Sequence, residues 1–249
     1  MVSEVPKVIV YRWRWGIYGV VSAAAALLSL VVLRERPATA PQIAPPGGSP
    51  ADERLMTLAG IRHMLGKRDM RLIMGLYFIG LGVFNALSTC IDQLCAQSGL
   101  DADDTGLVGG IMFITGIVGA AILPPMSDRR RQRKPFLVLA MAVMTPALLG
   151  LTLASSFLPL VIASAVLGFF LLGAGAPVGL QYAAEVSYPA AESISQGAIL
   201  LVGQVSGILF IIGINVVGIV PFMWIFVGLG VVATLIALAL RESPRIGTS

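Results

Sequence analysis

An all-α membrane fold of about seven transmembrane helices is what this chain predicts, and three observations carry the prediction. Of its 249 residues 57% are hydrophobic and only 12% are charged, roughly half the charge of an ordinary soluble domain. The apolar residues gather in seven runs, each long enough to cross about 30 Å of hydrocarbon at about 1.5 Å per residue. The basic residues gather in alternate connections between those runs.

The runs cover residues 17–33, 72–96, 106–126, 136–154, 157–184, 194–217 and 222–240. In lipid the backbone must satisfy its own hydrogen bonds, so runs of this length predict helices. A barrel would show short alternating segments instead. The first run admits a second account. Lys7, Arg12 and Arg14 precede it and Ala38-Thr39-Ala40 follows, as around a signal peptide. The run is long for that role, and Arg34, Glu35 and Arg36 separate it from the cleavage-like residues. A spanning helix whose true start lies upstream fits better.

Residues 37–50 hold Pro37, Pro41, Pro45, Pro46, Gly47, Gly48 and Pro50, the composition of a linker without a core. Leu55, Leu58, Ile61 and Leu65 then recur at helical spacing among Arg54, Arg62, Lys67 and Arg68. That pattern predicts a short amphipathic helix on the membrane surface. The expected organisation is an N-terminal segment and first helix over 1–33, and a linker with the amphipathic helix over 34–71. A six-helix body follows over 72–240, and a tail over 241–249.

Charge sets the expected orientation. Arg34, Arg36, Arg54, Arg62, Lys67, Arg68 and Arg71 lie between the first two helices. Arg129, Arg130, Arg131, Arg133 and Lys134 lie between the third and fourth, and Arg241 and Arg245 follow the last. The opposite connections, 97–105, 155–156 and 218–221, contain no Lys or Arg. The positive-inside rule places the basic side, with the C-terminus, in the cytoplasm; Lys7, Arg12 and Arg14 disagree. Net charge is +4, but no basic stripe is interleaved with aromatics, so nucleic acid is not an expected partner. Cys90 and Cys95 form neither a disulfide framework nor a metal pattern. His63, the lone histidine, reads as a solvated loop residue. No nucleophile–base pair or phosphate loop appears, so neither an enzyme nor a cofactor is expected.

Two segments carry a family resemblance. Pro124-Pro125-Met126-Ser127-Asp128-Arg129-Arg130-Arg131-Gln132-Arg133-Lys134 reads as a tight turn between two helices. It resembles the second copy of the Gly-x-x-x-Asp-Arg-x-Gly-Arg-Arg loop of the major facilitator superfamily, with Pro124 and Arg131 where the pattern has glycines. The segment from Gly179 to Ser193, with Glu185, Tyr188, Pro189 and Glu192, is similar to the Glu-x-x-Tyr-Pro-x-x-Glu segment of the feline leukaemia virus subgroup C receptor family. That family comprises haem, choline and ethanolamine carriers. Residues 82–89 and 203–207 also look like its seventh and eleventh helices. The resemblance implies the C-terminal half of a twelve-helix carrier, this chain's first helix matching the sixth. It implies alternating access around a site at the bilayer midplane. The partners it implies are the lipid bilayer of the cell membrane, a small-molecule substrate and an N-terminal half missing here.

Several residues are then candidates. Asp128 and Arg129 are expected to latch the cytoplasmic gate, Asp128 holding Arg129 and neighbouring donors. Glu185, Tyr188, Pro189 and Glu192 are expected at the same gate, with Glu192 near a positive helix end. Gln204 falls about 15 Å into its helix, and in the resembled family a glutamine there contacts substrate. Asn85 falls about 20 Å into its own. Choline-binding relatives carry an aromatic at this position for cation–π contact, so Asn85 argues against choline itself. Asp92, near the outer interface, is a candidate cation or proton site. Recurrent glycines, Gly203-x-x-x-Gly207 among them, predict close helix packing, and Pro177 predicts a kink. The reading is transmembrane transport of a small organic solute. A seven-helix receptor or scaffold, or an inactive transporter fragment, are the alternatives.

Overall fold

The computed structural model describes residues 19–29, 60–188, 190 and 192–243. The chain divides into two units, Met1–Ser49 and Pro50–Ser249. In the first unit, helix α1 covers Gly19–Ser29, part of the first apolar run. The linker prolines, Pro189 and the N-terminal basic residues lie outside the described residues.

The second unit holds a short helix α2 over 60–66, then α3 (Arg68–Gln97), α4 (Ala102–Arg130), α5 (Lys134–Leu153), α6 (Phe157–Ser187), α7 (Glu192–Val217) and α8 (Ile219–Ala239). These six, α3–α8, are long and apolar enough to cross a membrane, and α1 is a shorter apolar helix. Among the described residues there is no strand.

Local chemistry sets most boundaries. Past α3, Gly99 takes φ +70°, a left-handed conformation that glycine adopts without penalty. Asp101 caps α4 by accepting from the Asp104 backbone N–H at 2.8 Å, and Asp103 and Asp104 sit in its positive first turn. Gly218, with φ +94°, turns the chain between α7 and α8. One boundary differs from the sequence reading. Pro124, Pro125, Asp128 and Arg129 lie inside α4 and not in the turn, because α4 runs on to Arg130. The turn is only residues 131–133. Its last coil is held where the chain reverses: the Ser127 hydroxyl donates to the Gln132 carbonyl at 2.7 Å, and the Arg131 and Gln132 N–H groups return to Asp128 and Ser127.

α3 packs mainly on α7 and α8, α4 on α6, and α5 on α6 and α8. Two of these seams depend on absent side chains. A Cβ on Gly203 would stand 2.8 Å from Leu81 Cβ, one on Gly207 2.9 Å from Asn85 Cβ, and one on Gly82 2.9 Å from Ser206 Cβ, so glycines on both helices let α3 and α7 approach closely. Between α4 and α6, Gly119 meets the Phe169 carbonyl and Gly173, backbone against backbone. Lipid supplies no hydrophobic drive between helices, so this van der Waals contact is what associates them. Outward, Leu201, Val205, Ile208, Leu209, Ile212 and Val216 of α7 are all exposed, an apolar face too large for water.

The connections alternate between two ends. At one, the Lys67 ammonium donates to the Val186 and Tyr188 carbonyls at 2.9 and 2.7 Å, and Asp69 accepts from the Arg241 N–H at 3.3 Å. At the other, the Ser98 hydroxyl donates to the Ala154 carbonyl at 3.1 Å. Lys67, Arg68, Arg71, the arginines of 129–133 and Arg241 therefore share one end. α2 crosses that end with Met64 buried and Leu65 exposed, so the side chain turned inward is Met64, one position before the expected Leu65.

Gly119→Leu should lower the unfolding free energy in lipid by about 1–3 kcal/mol or more, the cost of overpacking. Gly110→Leu, where an added Cβ meets nothing within 4 Å, should leave it within about 0.5 kcal/mol. Detergent-titrated unfolding followed by circular dichroism distinguishes the two.

Candidate functional site

The structure gathers polar groups in two places, one at mid-depth and one at the basic end. Gln204 is the thirteenth of α7's 26 residues, and Asn85 is the eighteenth of α3's 30. The Asn85 amide nitrogen donates to the Gln204 carbonyl oxygen at 3.1 Å. Gly207, one turn after Gln204, lets α7 reach the Asn85 side chain. Gln204 is exposed and Asn85 half-buried, so the pair sits on an open face of the bundle. A side-chain amide facing hydrocarbon is costly, and the bond satisfies one donor and one acceptor. The second amide hydrogen of Asn85 and the NH2 of Gln204 stay available for another molecule.

Asn85, Thr89 and Asp92 follow each other on one face of α3. Both neighbouring hydroxyls turn back on the helix: Ser88 and Thr89 donate to the Asn85 carbonyl at 3.0 and 2.8 Å. Just beyond, Cys90 leaves helical geometry at φ −108°, ψ 18° and bends α3. Asp92 is exposed and lies two turns past Asn85, about 10 Å along the axis. It does not join the Asn85–Gln204 pair.

At the basic end the organising side chain is Arg133. It is almost fully buried, and its guanidinium is shared between Asp128 and Glu185. Nη2 lies 3.2 Å and Nε 3.4 Å from Glu185 Oε1, and Nη1 donates to Asp128 and, at 3.3 Å, to the Ser127 hydroxyl oxygen. A third carboxylate completes the cluster. Glu242 accepts from the backbone N–H groups of Arg133 at 2.6 Å and Lys134 at 3.2 Å, capping the positive start of α5. Tyr182 of α6 donates to the Arg241 carbonyl at 2.9 Å and so ties the segment after α8 to α6. Glu185 Oε2 is buried and has no hydrogen-bond partner among the described residues. One guanidinium thus joins α4, α5 and α6.

Asp128 and Glu185 meet through Arg133, whereas Arg129 is exposed and takes no part. Tyr188 is exposed at the α6 terminus and accepts Lys67 on its carbonyl. Glu192 opens α7 and accepts from Gln196 at 2.6 Å, apart from the arginine cluster. Pro189 lies outside the described residues. Arg133, Lys67 and Glu242 are the participants that sequence reasoning missed. Five cationic residues occupy 129–134, and nothing in their order singles out the one that turns inward.

No family model matches the chain. Curated relatives do. Solute carrier family 49 member A3 of Xenopus tropicalis is 28% identical over 201 residues, 79% of this chain and 41% of the relative. An uncharacterized MFS-type transporter of Caenorhabditis elegans is 30% identical over 152 residues, 59% of this chain and 26% of the relative. The choline/ethanolamine transporter FLVCR2 of Homo sapiens is 28% identical over 235 residues, 88% of this chain and 44% of the relative. The chain spans less than half the length of these relatives.

Arg133→Gln leaves Glu185 buried without its cation and should cost about 3–5 kcal/mol. Arg129→Gln should cost less than about 0.5 kcal/mol. Adding Glu185→Gln to Arg133→Gln should recover part of the loss, read as a rise in the unfolding midpoint of the double variant.

Proposed function

We propose that this chain, a homologue of MFS-type membrane transporters, carries the substrate-contacting and gating elements of a solute carrier, and that it is not an enzyme. The observation that carries the reading is the Asn85–Gln204 hydrogen bond at mid-depth on an open face. An amide pair with free donors there suits a small organic solute with hydrogen-bonding groups. A second six-helix half would close over that face and make the path alternate between the two sides. The human relative, a choline/ethanolamine transporter, suggests amino alcohols as the solute class. With amides and no aromatic side chain at position 85, the site favours a hydrogen-bonding member such as ethanolamine over a quaternary ammonium. Asp92, toward the other mouth on the same face of α3, would offer a carboxylate to a cationic solute or a coupling ion.

The Arg133 cluster is the proposed latch. It holds three helix ends together by charge, and charge pairs at an aqueous end can exchange partners as a gate opens. In the proposed carrier, a plasma-membrane protein, the basic end and the C-terminus face the cytoplasm, the side on which Lys and Arg are retained.

Proteoliposomes carrying the chain, with and without a six-helix partner half supplied in trans, would be tested for uptake of ethanolamine, choline and uncharged polyols. Saturable uptake of one solute supports the reading; no uptake of any in either preparation overturns it. Asn85→Ala or Gln204→Ala should raise KM about tenfold, the worth of about 1.4 kcal/mol for one solute hydrogen bond. Asp128→Asn should change the turnover rate while membrane insertion stays normal. Single cysteines at Asp103 and Arg130, the two ends of α4, should label from opposite sides of an intact membrane.

A further inference from the structure

Helix α6 is not one continuous α-helix. Phe157–Leu167 is α-helical, Gly168–Gly175 is a π-helical stretch of eight residues, and Ala176–Ser187 is α-helical again. The Ala176 N–H reaches back five residues to the Leu171 carbonyl. Pro177 follows at once and has no N–H to give. In an α register the Gly173 carbonyl would lack its donor, and in a π register Leu172 would. The helix is therefore weakest at this turn.

The two parts of α6 are held in different ways. The outer part and the π stretch are fitted to α4 backbone against backbone: Gly168 meets the Met112 carbonyl, and Gly173 meets Gly119. Contacts of that kind do not slide. The inner part buries Val178, Tyr182 and Ala183 in the core and is also tied by polar contacts near its end, Lys67 on Val186 and Tyr188, Arg133 on Glu185, and Tyr182 on Arg241. At the junction stands Tyr77 of α3. Its hydroxyl donates to the Ala176 carbonyl and lies 3.4 Å from that of Gly175. Its ring occupies the space left by Gly179, where an added Cβ would stand 2.7 Å from Cε2. Beside the junction is a small apolar cavity of about 30 Å³, lined by Ile73, Phe84, Met141, Leu171 and Gly175.

The geometry points to a hinge at the end of the π stretch, around Gly175–Pro177, with Tyr77 as the positioning residue that holds it closed. The inner part, Ala176–Ser187, swings about this turn while the outer part stays on α4. The inner part has 12 residues, a lever of about 18 Å, so a bend of about 20° moves its end by about 6 Å. That end carries Glu185, so the hinge lets the Arg133 contact break without unpacking the opposite end. The link to gating rests on the proposed latch, but the motion itself needs no transported solute.

The test uses the purified full chain in lipid nanodiscs, without solute. Paired nitroxides at Met126→Cys and Gln181→Cys report the inner ends of α4 and α6, and a pair at Leu107→Cys and Leu158→Cys reports the outer ends. These four side chains are exposed, and the native Cys90 and Cys95 are buried and do not label. Tyr77→Phe keeps the ring and removes the hydroxyl; Gly179→Ala pushes the ring away. Gln181 lies about 9 Å along the lever, so either change should add an inner-pair population displaced by about 3 Å and leave the outer pair unaltered. An unchanged inner distance in both variants overturns the hinge. Equal broadening of both pairs also overturns it, since Tyr77 would then serve general packing.

Discussion

A bilayer core offers peptide groups nothing to bond with, and this constraint shapes the chain from its secondary structure to its gate. Six spans close their hydrogen bonds internally as helices. Where a helix departs from the regular pattern, a neighbouring group stands at the departure. Tyr77 donates to α6 at the turn where Pro177 withholds an N–H, and Ser127 secures the end of α4 after Pro124 and Pro125. A hydroxyl in hydrocarbon would otherwise be a cost, so the same bond satisfies both partners.

The constraint also sorts charge. Apart from Asp92, the ionisable side chains of the six spans stand near their ends, and at the basic end they are organised by Arg133. Burying a guanidinium is costly unless carboxylates surround it; Asp128 and Glu185 do so, and Glu242 caps the backbone beside it. The cluster crosses three helices, which makes it sensitive to their relative position. Mid-depth polarity is sparse by comparison, and that is why the Asn85–Gln204 pair is the proposed place for a solute.

Packing divides the bundle unevenly. Between α4 and α6 the contact is glycine on backbone, rigid because close-packed atoms have only one good arrangement. At the basic end the apolar packing is joined by charges and hydrogen bonds to carbonyls, polar ties that water can replace once they are exposed. A carrier needs both: a part that keeps its shape and a part that lets go.

Much of this was legible along the chain. The seven apolar runs, the alternation of basic connections and the depth of Asn85 and Gln204 follow from residue order, because hydropathy and a rise of about 1.5 Å per residue are properties of one helix alone. What only the tertiary structure decided was which side chain faces which neighbour. Successive residues on a helix point about 100° apart, so Arg133 and not Arg129 reaches Asp128, and Met64 and not Leu65 turns inward, through rotations set by packing between helices. The π stretch of α6 belongs with these: Pro177 announced a break, but that Tyr77, a residue 100 positions earlier in the sequence, reaches the Gly175 and Ala176 carbonyls beside it is decided only by packing.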